Sequence, residues 1–175
     1  MAEFVLSDST QVRFRRVCVT DEPLIASAIN SASRETLLHR FFSPIRSVSP
    51  DQLRRMLVFD PALETCIVGV RETATDRRII CGARYVKLPR PSTAEIAITV
   101  HDEFQHCGLG TLLLHLLAQL AQREQLEWFE AEVLSSNQKM LNLFRKLARD
   151  HATGHWTGDV YHVEIPVRIL AGTPG

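Results

Sequence analysis

The stretch of this 175-residue chain best equipped for chemistry is Ala94 to Leu114, AEIAITVHDEFQHCGLGTLLL. An extended apolar pattern ends at Val100, and a short polar turn follows. Then comes Gln105-His106-Cys107-Gly108-Leu109-Gly110, and after it a helix pattern begins. Two glycines at a strand-to-helix turn let backbone come close to a ligand. The first turn of a helix offers unpaired N–H groups and the positive end of the helix dipole. Together these suit a phosphate or diphosphate. The loop is not a Walker A sequence, because G-K-[ST] is missing, and Leu113 stands where a G-x-G-x-x-G motif needs its third glycine. On spacing alone, a glycine-softened turn with no ligand fits equally well.

Other reactive side chains lie nearby. In the preceding strand Glu95, Ala97 and Thr99 share one face and Ile96, Ile98 and Val100 the other. The Glu95 face carries small or polar groups, as a cleft wall would, and a carboxylate there can accept a proton. A solvent-facing or ion-paired strand glutamate is the plainer alternative. His101 and His106 flank the loop and could touch a phosphate or simply be solvated. Cys107 adjoins His106, but chain neighbours seldom align as nucleophile and base. The four cysteines (Cys18, Cys66, Cys81, Cys107) are scattered without zinc-ligand spacing, so no metal is expected. Arg13, Arg15, Arg16, Arg54 and Arg55 read as solvated faces, with a phosphate contact as the alternative for Arg15 or Arg54.

The elements that must position these groups follow from pattern and punctuation. Val12 to Val19 reads as a first strand. Thr20 or Asp21 can cap a helix with Pro23 in its first turn, running to about Asn30. Ser33 caps a second helix through Phe42, ended by Pro44. Ser49-Pro50-Asp51-Gln52 opens a third, with a capping box. Thr65 to Val70, Ile79 to Leu88 and Ala94 to Val100 are predicted strands. Thr111 to Glu124 is a helix whose polar residues Thr111, His115, Gln119 and Gln122 make one narrow stripe. Trp128 to Leu134 is a strand, Asn137 to Arg149 a helix, and Val160 to Val167 a final strand. Met1 to Ser9 and Ala171 to Gly175 read as frayed tails. This order indicates an α/β or α+β sheet with helices on its faces.

Composition narrows the class. The chain is 45% hydrophobic and 23% charged, which excludes disorder as its main state, and its length suits one domain. With 20 basic and 20 acidic residues it has no overall pull toward nucleic acid or anionic lipid. The longest apolar run, Leu112 to Ala121, is broken by His115 and Gln119, so no membrane span is expected. The first residues lack a signal-peptide pattern, and the cytoplasm is the expected location.

Gln105-x-x-Gly108-x-Gly110, after an apolar strand and before an apolar helix, resembles the coenzyme A motif of the GNAT acetyltransferases. The order of elements is similar to that family's over most of the chain. Ser135-Ser136-Asn137, followed by Met140, Leu143 and Phe144, resembles the family's second cofactor segment. Ser33-Arg34-Glu35-Thr36 with Arg40-Phe41-Phe42, and Ala94-Glu95-Ile96-Ala97, are similar to the GNAT domain of bacterial protein-lysine acetyltransferases.

The resemblance implies one domain over residues 1–175, with a core of about 12–168. It implies a mixed, mainly antiparallel sheet of six to seven strands, flanked by four to five helices and splayed after the fourth strand. Acetyl-CoA is the implied cosubstrate. Its pantetheine arm would pair with backbone at Ile98, Thr99 and Val100. Its diphosphate would meet the turn formed by Gln105, His106, Cys107, Gly108, Leu109, Gly110 and Thr111. Asn137 would bond the arm, with Met140 and Phe144 toward the thioester. The implied reaction is direct acetyl transfer to a primary amine, a protein lysine or a small molecule, with Glu95 as general base. Family members are often dimers, so a homodimer is among the implied assemblies. Two departures stand out. Phe144 occupies the position of the tyrosine that many members use to protonate the leaving thiolate, and Lys146 to Asp150 replaces the usual Gly-Phe. They leave an alternative: an acyl-CoA-binding regulatory or interaction module with weak or no catalysis.

Overall fold

The computed structural model of the protein describes residues 2–6, 9–45 and 48–172. Eight strands form one sheet in the order β1-β2-β3-β4-β5-β6-β8-β7. The strands are β1 (Ala2–Val5), β2 (Gln11–Arg16), β3 (Glu64–Glu72), β4 (Arg77–Lys87), β5 (Thr93–Val100), β6 (Trp128–Leu134), β7 (Thr153–Thr157) and β8 (Val160–Pro166). The helices are α1 (Glu22–Ser31), α2 (Arg34–Phe41), α3 (Pro50–Leu57), α4 (Leu109–Arg123), α5 (Gln138–Ala148) and α6 (Val167–Ala171). The β1/β2, β2/β3, β6/β8 and β7/β8 pairs are antiparallel and β5/β6 is parallel.

The fold class is as expected, with more elements than the sequence suggested. β1 lies in what reads as a frayed tail, yet Ala2–Val5 pairs with residues 11–14 of β2. β7 has no buried residue, so no alternation marks it, and it forms the sheet's edge. α6 is five residues long, too short to show a helical period. Of the expected tails, Met1, Ser7, Asp8, Thr173, Pro174 and Gly175 lie outside the described residues.

The first strand also ends earlier than its apolar run, at Arg16 rather than Val19. Asp21 turns the chain there. Its carboxylate accepts the Cys18 N–H at 2.9 Å and N–H bonds from Arg15 Nη1 and Nη2, each at 2.6 Å. Arg15 is therefore paired and largely buried, not a solvated charge. The Arg15 hydrogen bonds hold the Asp21 carboxyl at about 2, against burial, which pulls it up. Helix starts follow the sequence closely. Ser33 accepts the Thr36 N–H, and Ser49 with Gln52 forms the reciprocal box. α2 ends with Phe42 in the left-handed region rather than at Pro44.

The chain divides into two compact units. One holds Met1–Arg84 and Ile98–Leu109, the other Tyr85–Ala97 and Gly110–Gly175. In the first, Ile29, Leu37, Leu53 and Leu57 cluster among α1, α2 and α3, and Val68, Val70 and Ile79 pack against α1 residues. In the second, Leu113, Leu114, Leu117, Ala118 and Ala121 of α4 are fully buried, as are Phe129 and Ile165. No helix among the described residues is long and apolar enough to cross a membrane.

Candidate active site

β5 leads directly into the candidate loop. The His101 N–H bonds Ile80 O at 2.8 Å, and Asp102–Phe104 form one 3-10 turn. Phe104 is buried, with the Arg78 and Arg71 guanidinium groups 5.7 and 6.0 Å from its ring centroid. The Gln105 amide reaches back to Val100 O at 3.2 Å and to the Thr36 hydroxyl at 3.3 Å. His106 and Gly108 then take positive φ, +64° and +82°. Left-handed residues of this kind turn successive N–H groups inward to make an anion-binding concavity.

The two glycines divide their work. A Cβ on Gly108 would meet nothing within 4 Å, so that position is open to an approaching ligand. A Cβ on Gly110 would stand 3.2 Å from Leu143 Cδ2, so its smallness serves the approach of α4 to α5. Leu109 is 1% exposed and packs into the interior. Cys107 Sγ lies 3.5 Å from Gln105 O, and the His106 side chain is exposed. No sequence signal marks the left-handed turn at His106, because glycine is absent there.

Glu95 is exposed and lines a groove of about 450 Å³ in the second unit. Strand register explains the rest of that wall. Glu95 of β5 stands opposite Glu130 of β6, and Glu130 opposite Glu164 of β8. Two residues further along, Glu132 faces His162, and His162 faces His155 of β7. Like charges directly across strands are unfavourable. Arg90 relieves part of this by ion-pairing Glu130 and Glu164, and His162 Nδ1 sits 3.3 Å from Glu132. The His155 and His162 rings stack at 5.1 Å. Sequence reading singled out Glu95 alone; its partners emerge only from register.

The remaining candidates take varied roles. Asn137 caps α5, its side-chain oxygen accepting the Met140 N–H at 3.2 Å. Phe144 is 4% exposed and belongs to the core. Ile98, Thr99, Val100, Thr111 and Met140 are half-buried. His115 is structural, its Nδ1 lying 3.2 Å from Leu170 O. Burial pushes the Cys66 and Cys81 thiols up to about 11 and about 12, which suits packing rather than nucleophilic attack.

This arrangement has known counterparts. Residues 32–148 match the model of the acetyltransferase (GNAT) family. The chain belongs to that family. The GNAT domain of S. lividans PAT superposes with a TM-score of 0.81 at 26% identity, covering 94% of this chain and 96% of that one. An acetyltransferase of Pseudomonas aeruginosa is 25% identical over 79% of this chain and 74% of its own. Acetyltransferase Pat of Mycolicibacterium smegmatis is 31% identical over 66% of this chain; the match spans 34% of Pat. As a GNAT protein, the chain is expected to act as an acyltransferase on a coenzyme A thioester.

Proposed function

We propose that this GNAT protein transfers an acetyl group from acetyl-CoA to a primary amine, by direct attack and with Glu95 as general base. The observation that carries the reading is the acidic groove around Glu95. An amine acceptor arrives as an ammonium ion. Glu130, Glu132 and Glu164 line the groove, partly offset by Arg90 and His162, while Glu95 can remove the proton that blocks attack. A carboxylate at the groove edge can do this directly or through one water.

On the cofactor side, the N–H groups from Gln105 to Thr111 would bind the diphosphate. The β5 backbone at Ile98, Thr99 and Val100 would pair with the pantetheine arm. Asn137 would bond that arm, and Met140 and Phe144 would flank the thioester. Coenzyme A leaves as a thiolate, a far better leaving group than an alkoxide, so it can depart without a general acid. Phe144 in place of a tyrosine is therefore compatible with turnover. The reading includes a single GNAT domain, a cytoplasmic setting, no metal and a homodimer as the assembly to test. The acceptor is a protein lysine or a small amine.

Phe144 in place of a tyrosine, with Lys146 to Asp150 at the altered helix end, also motivates a second reading, an acyl-CoA-binding module with weak or no catalysis. Free-thiol release from acetyl-CoA across an amine panel and a lysine-rich protein separates the two. Under the first reading Glu95→Gln keeps acetyl-CoA affinity and lowers turnover on an accepted amine by roughly 10²- to 10⁴-fold near neutral pH. Unchanged turnover removes Glu95 from the role. Cofactor binding with no thiol release on any amine favours the module.

A further inference from the structure

The turn between β5 and α4 has to hold a costly shape. His106 sits at φ +64° with an exposed side chain, and Gly108 at +82° has open space where its Cβ would be. Left-handed backbone at a non-glycine residue persists only where the surroundings fix it. On the N-terminal side of the turn, a hydrogen-bond network gathers around one side chain and ends at Gln105, the residue before His106.

That side chain is Asp102. Its Oδ2 accepts the Ser33 N–H at 2.8 Å. Its Oδ1 accepts the Ser33 hydroxyl at 2.6 Å and the Thr36 hydroxyl at 2.8 Å. Donors and acceptors balance through the network. The Ser33 hydroxyl donates to Asp102 and accepts the Thr36 N–H at 3.1 Å. The Thr36 hydroxyl donates to Asp102 and accepts from Gln105 Nε2 at 3.3 Å, and Gln105 also donates to Val100 O. A closed path thus runs from Asp102 through Thr36 to Gln105, the residue that enters the left-handed turn. Thr36 is 8% exposed, so its hydroxyl is shielded from solvent, while Asp102 itself is exposed. Charge-assisted bonds of this type are roughly twice as strong as neutral ones. Burial pulls the Asp102 carboxyl up, but the Ser33 and Thr36 hydrogen bonds outweigh it and hold it at about 2. It stays ionised at any working pH.

We propose that Asp102 is a positioning residue for acetyl-CoA. Through Ser33, Thr36 and Gln105 it fastens the start of the turn to the first turn of α2, so that the N–H groups from His106 onward are already arranged for the diphosphate. The proposal rests on reading that turn as the diphosphate site. Capping α2 alone does not require it, because Ser33 already caps that helix through Thr36 N. What Asp102 adds is the link across 66 residues of sequence to the loop.

The test uses the full chain and two variants of nearly constant shape. Asp102→Asn puts an amide N–H against donors. Thr36→Val removes the hydroxyl that joins Asp102 to Gln105 and leaves the Ser33 bonds in place. Acetyl-CoA dissociation constants are measured by calorimetry and kinetics at saturating amine, with melting points in parallel. The positioning role predicts that each variant weakens acetyl-CoA binding by about tenfold. It also predicts that kcat at saturating acetyl-CoA stays within about twofold, and that the double variant is little worse than either single one, because one path is cut twice. Wild-type affinity in folded Thr36→Val, or losses that appear in melting point and kcat with affinity unchanged, overturns the proposal and leaves Asp102 a structural cap. If the wild-type protein itself does not bind acetyl-CoA, the diphosphate reading fails first, and that outcome is distinct from the other two.

Discussion

Gly108 and Gly110 look alike in the sequence, yet alanine should affect them differently. In the unliganded protein a methyl at Gly108 meets nothing within 4 Å, so its only cost is the left-handed backbone at φ +82°. That cost is about 1 kcal/mol, and it should lower the melting temperature by about 2–4 °C in a chain of this size. If a diphosphate closes on those amides, the same methyl stands where the ligand must come. The affinity for acetyl-CoA should then fall by tenfold or more, about 1.4 kcal/mol beyond the strain. At Gly110 the methyl presses on Leu143 Cδ2 at 3.2 Å, the movable end of a side chain. Alanine's better helix propensity, by about 1 kcal/mol, offsets that crowding. Its N–H is retained, so affinity should stay within about twofold of the parent. Calorimetric titration of acetyl-CoA into both folded variants decides the matter. Equal losses in the two variants, or full affinity in Gly108→Ala, would refute the assignment of Gly108 to the ligand and Gly110 to packing.

Other consequences concern stability. Asp21 is held at about 2 against an ordinary 3.8, so its stabilising contribution is complete above about pH 4 and disappears as pH falls through about 2. It amounts to about 2 kcal/mol, and urea unfolding of Asp21→Asn between pH 6 and pH 2 should lack that part of the acid slope. Gly69→Ala places a methyl 2.5 Å from Cys81 Sγ and 3.0 Å from Phe14, and should destabilise the protein by about 1–3 kcal/mol; Cys81→Ala in the same chain should recover part of the loss. Arg149 caps α5 at φ +46° and ψ −123°, a conformation suited to glycine, so Arg149→Gly should raise the unfolding free energy by about 1 kcal/mol.

What the sequence made legible is local. Ser49-Pro50-Asp51-Gln52 encodes its own helix start, and the structure has that box. Trp128 to Leu134 alternates buried and open residues, and β6 has those bounds. Asn137 opens α5 as its residue type suggests. What stayed hidden depends on chain segments far apart. The acidic wall around Glu95 exists because β5, β6 and β8 align Glu95, Glu130 and Glu164, and register cannot be read from any one strand. Asp102 looks like a turn residue until α2 is brought to it. Arg15 looks solvated until Asp21, six positions on, folds back over it. β7 carries no buried side chain, so it leaves no hydrophobic period to detect.

The turn at His106 to Thr111 is the proposed seat of the acetyl-CoA diphosphate. Titrating acetyl-CoA into isotopically labelled protein while following backbone amide resonances tests this directly. With the diphosphate seated there, the His106, Cys107, Gly108 and Leu109 amides should shift strongly and saturate together with the bound fraction. Saturable binding that leaves those resonances in place would contradict it.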